Sequence, residues 1–185
     1  ALKAMAADNF PDSKADTFAM FIERGLSLSH DLGFAALVTM QSWMFLGSYE
    51  GLRERLIGAH ALRCLLHMDN MVMGIAFGTS ASIWQRRARV KPKSSFHFVG
   101  NADLTADGFP IEFPVAKNRG GLIDASEFRM IPGCPIAYWA GSATRAAFAT
   151  FESFGSFAET RLGMATADNN RFLRLWYEVS QNLVG

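Results

Sequence analysis

Apolar residues recur along the chain with two different periods. Phe18, Phe21, Ile22, Gly25, Leu26 and Leu32 fall at helical spacing, which predicts an amphipathic helix over residues 14–31 ending near Gly33. Pro11-Asp12-Ser13 reads as its start, with Ser13 as N-cap and Asp16 three residues on in the manner of a capping box. Phe34 to Thr39 is a short apolar run, which predicts a strand buried on both faces. Ser48 is placed to cap a second helix running to about Ile57, with Leu52, Leu56 and Ile57 on one face and Gly58 as its stop. Leu62 to Met68 then reads as a second buried strand, Gly74 to Gly78 as a loop, Thr79 to Trp84 as a third strand and Ser95 to Val99 as a fourth. The order helix, strand, helix, strand, strand, strand indicates an α/β sheet, and the final pair suggests an antiparallel edge.

Residues 101–125 carry Asn101, Gly108, Pro110, Pro114, Gly120 and Gly121, which marks a linker between a first domain, residues 1–100, and a second, residues 126–185. In the second, Ser142 to Phe151 reads as a helix. Asp168-Asn169-Asn170 supplies N-cap residues for a last helix reaching Val179.

Half of the residues are apolar, so a packed core is expected rather than disorder. The formal net charge of +1 decides nothing about nucleic acid, but its distribution is uneven. Arg86, Arg87, Arg89, Lys91 and Lys93 cluster without an acid among them, between the third and fourth strands. The cluster reads either as a solvated hairpin connection or as a patch that contacts phosphates by displacing counterions. The two cysteines make no disulfide framework, so a reducing cytoplasm is expected. No apolar run reaches the roughly 20 residues of a membrane span. The chain opens on Ala1 rather than methionine, as an internal piece of a longer protein would.

Candidate chemistry is sparse. His60, Cys64 and His67 make a local H-x3-C-x2-H pattern, but a zinc site needs paired ligand spacings, and a structural role is the better reading; no metal is expected. There is no G-x-S-x-G elbow and no G-x-G phosphate or nucleoside fingerprint. Phe96 and Phe98 alternate with Ser95 and His97, either as core residues of an edge strand or as an aromatic available to stack on a base. Residues 160–172 are rich in small polar groups, and Arg161, Arg171 and Arg174 surround a capped helix start, which reads either as an ordinary capped loop or as a phosphate seat.

Four phrases, FPDSKADTFAMFIERGLSL (10–28), QSWMFLGSYEGLR (41–53), IPGCPIAYW (131–139) and RLGMATADNNRFLRLWYEVS (161–180), closely resemble, in that order, the adenine-specific DNA methyltransferases of BREX phage defence (PglX type). More distantly they resemble the gamma-class adenine methyltransferases of restriction–modification systems. The resemblance covers nearly the whole chain and is weakest at residues 68–125. It implies an α/β fold in which residues 1–100 are the C-terminal half of a Rossmann-like sheet that uses S-adenosyl-L-methionine, followed by the start of a target-recognition domain. It implies methyl transfer to the exocyclic amine of adenine, with double-stranded DNA, the remaining half of the methyltransferase domain and other phage-defence proteins as partners. The family's catalytic N-P-P-[YF] tetrapeptide and its cofactor glycine motif belong upstream of the matched phrases. Neither occurs in this sequence, so the chain alone is expected to be inactive.

By position in the family, Lys14 and Asp16 flank the cofactor pocket, and Phe96 or Phe98 lies where related enzymes place an aromatic against an extruded base, with Phe98 taken as the site residue. With Arg86, Arg87, Lys91, Lys93, Arg161, Thr166, Asn169, Asn170 and Arg171, it makes up the expected DNA surface. Met40-Gln41-Ser42-Trp43 lacks the proline that often precedes the family's tryptophan phrase, and residues 70–84 look shortened. The alternatives are a noncatalytic DNA-binding or assembly module derived from such an enzyme, and an S-adenosyl-L-methionine enzyme acting on another substrate.

Overall fold

The structure is a computed structural model that describes residues 2–159, 161 and 169–183. It divides into two compact units, Ala1–Phe151 and Glu152–Gly185. The first contains helices α1 (Leu2–Asn9), α2 (Thr17–Leu28), α3 (Glu50–Ala59) and α4 (Ser142–Thr150). It also holds strands β1 (Phe34–Met40), β2 (Ala61–Met68), β3 (Thr79–Gln85), β4 (Ser94–Val99) and β5 (Gly121–Ile123). The second contains the short helix α5 (Asn169–Phe172) and a 3-10 turn at Trp176–Glu178, where the sequence predicts one helix to Val179.

The five strands form one mixed sheet in the order β1-β3-β2-β4-β5. β3 runs antiparallel to both β1 and β2, β2 and β4 are parallel, and β5 is antiparallel to β4. β1, β2 and β4 therefore point the same way. The antiparallel edge expected from β3 and β4 is corrected on this point: β2 separates them, and the edge strand is β5, from the segment taken as a linker. The Arg86–Lys93 stretch is thus a crossover past β2 and not a hairpin connection.

Strand alternation sends Ala35, Leu37 and Thr39 of β1 to one face and Phe34, Ala36 and Val38 to the other. The first face carries the core. Ala19, Ile22 and Leu26 of α2 and Leu52, Leu56 and Ile57 of α3 pack there with Trp43, Trp84, Leu65 and Phe96. On the opposite face Phe34 and Val38 are 58% and 61% exposed, so β1 is not buried on both sides as its apolar run suggests. A small cluster of Met68, Val72 and Val99 covers only the far end of that face.

Two helix starts also differ from expectation. Asp16, not Ser13, caps α2, its Oδ1 accepting from the Phe18 amide at 3.5 Å. Ser13 is fully buried and donates to Glu23 Oε1 at 2.5 Å. Helix α3 begins directly after a 3-10 turn at Gly47–Tyr49, and Ser48 makes no capping bond. The first unit also runs past the expected boundary at residues 101–125, because Phe128, Cys134, Ile136 and Tyr138 belong to the same core as α2 and α3. Arg53, fully buried, fixes that segment. Its guanidinium donates to the carbonyls of Trp43 (2.8 Å), Leu46 (2.7 Å), Gly133 (2.5 and 3.0 Å) and Cys134 (3.0 Å).

Candidate nucleic-acid interface

The carboxyl ends of β1, β2 and β4 converge on one cluster of polar and aromatic side chains. Pairing register sets Thr39, Ser80, His67 and Phe98 side by side across four strands, all on the core face. Gln41 follows β1 directly, and its amide donates to the Gly78 carbonyl at 3.1 Å. Gly78 packs closely on Gln41: a Cβ there would fall 2.2 Å from Gln41 Nε2 and would push that side-chain amide aside. Ser80 Oγ accepts from Trp43 Nε1 at 3.0 Å, while the buried hydroxyl of Thr39 has no partner among the described residues.

His67 is the centre. It is 5% exposed, and its two ring nitrogens face different partners. Gln41 Oε1 accepts from Nε2, so Nδ1 is the bare nitrogen and accepts from the Tyr138 hydroxyl at 3.0 Å. Burial, with a smaller push from Arg119, drives the His67 pKa down to about 4, against a weak opposing pull from Asp69. Burial likewise pushes Tyr138 up to about 12, although the Arg119 charge and its hydrogen bond act the other way. Both shifts describe the same state: a neutral imidazole accepting a hydrogen bond from a neutral phenol.

Rings enclose this pair. Phe98 meets His67 edge-on at 5.2 Å, and Phe45 stands 5.8 Å from it. Tyr138 stacks on Phe96 at 5.1 Å and 8°, and Trp139 meets Tyr138 at 5.1 Å and Phe45 at 5.5 Å. The exposed guanidinium of Arg119 closes the cluster, 4.0 Å above the Phe98 ring centre and 5.1 Å from that of Trp139. A groove of about 370 Å³ runs on from there, lined by His97, Phe98, Val115, Asn118, Arg119 and Leu122. Asn118 holds the loop in place by donating to the Phe98 carbonyl at 3.0 Å and to Asp103 Oδ2 at 2.5 Å. Gly120 lets the loop touch β4: a Cβ there would stand 2.5 Å from the Phe96 carbonyl oxygen.

The residues expected from the sequence are distributed unevenly about this cluster. Phe98 is in it. The basic stretch is at the opposite end of the sheet, because β3 runs antiparallel and Gln85 pairs with Phe34 and Ala61 at the starts of β1 and β2. Arg86 pairs with Asp31 at 3.4 Å and donates to the carbonyls of Ser27 and Ser29 at the end of α2. Arg87, with φ 46°, donates from its amide to His60 Nδ1 at 3.2 Å and pairs with Asp31 at 3.4 Å. Lys91 donates to the carbonyls of Ile57 and Gly58, closing the C-terminus of α3. These three cations each engage neighbouring groups of the fold, although Arg87 and Lys91 are themselves exposed, as are Arg89 and Lys93.

Lys14 and Asp16 are exposed, and the Asp16 carboxylate serves as the cap of α2. These two groups alone do not fit a nucleoside-bearing sulfonium cofactor. In the second unit Arg161 pairs with Glu159 at 2.7 Å, Asn170 and Arg171 are exposed, and Asn169 opens α5. Thr166 lies outside the described residues. His60 and His67 stand at opposite ends of β2, so the H-x3-C-x2-H pattern does not converge. Sequence reasoning missed Gln41, Arg119, Tyr138 and Trp139. The only signal was the aromatic pair in IPGCPIAYW, because nothing local indicates that this segment folds back onto β2 and β4.

Comparison with known proteins identifies the lineage. Residues 3–72 match the Eco57I restriction-modification methylase family. The chain is 36% identical over 186 residues to the adenine-specific methyltransferase BrxX of Escherichia coli O9:H4 (strain HS), covering 98% of the chain. It is 31% identical over 184 residues to the adenine-specific methyltransferase PglX of Lacticaseibacillus casei (strain Zhang), covering 92% of the chain. In each case the match spans 15% of the relative's own length. Among solved structures it is similar to the M protein of the type I restriction enzyme EcoKI (13% identity, 49% of this chain and 21% of that one, TM-score 0.42). It is also similar to a type I methyltransferase subunit from Streptococcus thermophilus (16% identity, 57% of this chain and 24% of that one, TM-score 0.44). The sequence matches, continuous along nearly the whole chain, show that it belongs to the BrxX/PglX family of adenine-specific methyltransferases.

Proposed function

We propose that the chain is the sheet-completing segment of a site-specific DNA methyltransferase, which moves a methyl group from S-adenosyl-L-methionine to the exocyclic amine of adenine in phage defence. The carrying observation is the 36% identity along 98% of the chain to an adenine-specific methyltransferase. The reacting groups belong to the rest of the protein: this sequence contains neither Asn-Pro-Pro nor a G-x-G loop. When bound, S-adenosyl-L-methionine supplies an activated methyl group. The residues described here bind and orient DNA around it. By the resemblance, Lys14 and Asp16 stand at the start of the helix that follows the catalytic loop, and the groups that hold the cofactor belong to the rest of the protein.

The DNA surface of this reading has Phe98 at the carboxyl ends of the strands, with the exposed cations Arg89 and Lys93 at the other end of the sheet. For the second unit the resemblance implies DNA contacts by Arg161, Thr166, Asn169, Asn170 and Arg171. The first partner is the remaining half of the methyltransferase domain. β1 offers it an unpaired edge, and Phe34, Ala36 and Val38 offer an apolar face beside that edge.

The test is adenine methylation of genomic DNA in cells that produce the longer protein, read by methylation-sensitive sequencing, beside cells that produce this chain alone. Modified adenines at one recognition sequence with the longer protein, and none with the chain alone, are expected. DNA binding by the longer protein without methylation would overturn the catalytic reading in favour of a DNA-binding or assembly module.

A further inference from the structure

We propose that the cavity between the ends of α2 and α3 and the chain leaving β3 is a binding site for a phosphate monoester, held by Arg55, His60, Arg86 and Arg87. The site is independent of the function proposed above. It lies at the amino ends of β1 and β2, because Gln85, one residue before Arg86, pairs with Phe34 and Ala61. The cavity is about 190 Å³, and Leu26 and Leu56 of the core are part of its lining. Drug-sized ligands occupy pockets of roughly 300–1,000 Å³, so this one suits a compact ion.

Each cation there keeps donors in reserve. Among the described residues, the contacts of Arg55 with Asp12 and Glu23 both use Nη2, which leaves Nε and Nη1. Arg86 commits Nε to Asp31 and Nη1 to the carbonyls of Ser27 and Ser29, which leaves Nη2. Arg87 touches the Asp31 carboxylate through Nη1 alone, which leaves Nε and Nη2. His60 accepts from the Arg87 amide at Nδ1, so its neutral ring carries the proton on Nε2, and that N–H has no partner among the described residues. Arg86 and Lys91 answer the carbonyls that end α2 and α3, whereas the side chains of Arg55, Arg87 and His60 make no such bond.

The nearby acids do not use up these donors. Glu23, the acid in the lining, is 13% exposed and already takes Ser13 and Arg55. Asp31 is 61% exposed and meets Arg86 and Arg87 at 3.4 Å, a kind of contact worth little in water. The charges that act on His60 are Arg86, Lys91, Arg87 and Arg55, all positive. Burial first and these cations next hold its pKa below the ordinary value, so the ring is an uncharged donor at neutral pH.

The donor set selects the ligand. A phosphate monoester carries about −1.5 to −2 charge and three strong acceptor oxygens, enough to engage several guanidiniums and His60 together. A backbone diester brings a single charge and a pair of free oxygens, and so satisfies fewer of them. Inorganic phosphate, a nucleoside monophosphate and the phosphorylated end of a strand share the first chemistry.

Inorganic phosphate is the first probe. Titrated into the chain at constant ionic strength, it should bind with a dissociation constant of about 1 mM or tighter by calorimetry and raise the melting temperature. It should also raise the pKa of His60, followed by NMR of the imidazole, since a dianion beside Nε2 favours the charged ring. That shift is read in the unaltered chain and does not depend on a variant folding. Arg87→Gln should weaken phosphate about tenfold, and Arg87→Lys should recover most of the affinity. Arg63→Gln removes an equal charge from an exposed position of β2 outside the lining and should change the affinity less than about twofold. Competition separates the sources. Adenosine monophosphate and a terminally phosphorylated twelve-nucleotide duplex should displace phosphate, whereas the same duplex with hydroxyl ends should not. An unmoved His60, equal losses in Arg87→Gln and Arg63→Gln, or displacement by the hydroxyl-ended duplex overturns the monoester site.

Discussion

Replacing Arg53 by methionine keeps the length and apolar stem of the side chain and removes every donor. Five hydrogen bonds to four backbone carbonyls disappear, at Trp43, Leu46, Gly133 and Cys134. The carbonyls of Trp43 and Cys134 are buried with Arg53, which is 1% exposed, whereas Leu46 is exposed and Gly133 half-buried, so only the first two have no water to turn to. An unsatisfied buried acceptor costs about 1–3 kcal/mol, and partial relaxation makes the four losses less than additive. Removing a buried charge with its desolvation penalty offsets part of the loss. We expect a net destabilisation of about 3–5 kcal/mol, a large share of the roughly 5–15 kcal/mol of an ordinary domain. Urea unfolding followed by far-ultraviolet circular dichroism measures it. Arg53→Lys sharpens the test, because a single ammonium cannot spread its donors over carbonyls on both sides of a fork and should recover less than half of the loss. A loss below about 1 kcal/mol for the methionine variant, or full recovery by lysine, would refute the assignment of Arg53 as the tie between α3 and the 131–138 segment.

Three further outcomes are expected. His67 has a folded-state pKa below its unfolded value, so its contribution to stability is complete above pH 6.5 and is lost as pH falls toward about 4; His67→Gln should flatten the melting temperature over that window, and an unchanged slope would remove the neutral relay. Gly120→Ala drives a Cβ into the Phe96 carbonyl and should cost about 1–3 kcal/mol while freeing Arg119 from Phe98, visible as increased protease cleavage in the 113–121 loop; wild-type stability and cleavage would contradict the close approach. The open β1 edge should make the chain self-associate when produced without its neighbours; Val38→Lys should lower the sedimentation-derived mass, and a monomeric parent would count against an unpaired, apolar edge.

Much of the fold was legible because its elements are locally consistent. The α2 face of Ala19, Ile22 and Leu26 and the strand runs at 34–40 and 61–68 follow from apolar spacing alone. Strand order was not legible. Whether β3 pairs with its sequence neighbour β4 or inserts between β1 and β2 depends on which edges are free, and Thr79–Gln85 has the same alternation in either place. The interface was half legible for the same reason. Phe98 stands out by its position in a strand, but Tyr138 reaches His67 from 71 residues away. The basic cluster was visible as charge, yet charge does not reveal that Arg86 and Lys91 are occupied by the carbonyls ending α2 and α3.

The inserted antiparallel strand also fixes a distance. It carries the chain from the aromatic end of the sheet to the end bearing Arg89 and Lys93, and its seven residues span about 23 Å at the rise of a strand. On the function proposed above, a duplex lying along the strands and touched at both ends would be gripped over about seven base pairs, given an axial rise of about 3.4 Å per pair. The sheet is then a ruler: phosphates protected by its cations would lie well over half a helical turn from the base that leaves the stack, and hydroxyl-radical footprints would show two protected patches with that spacing rather than one.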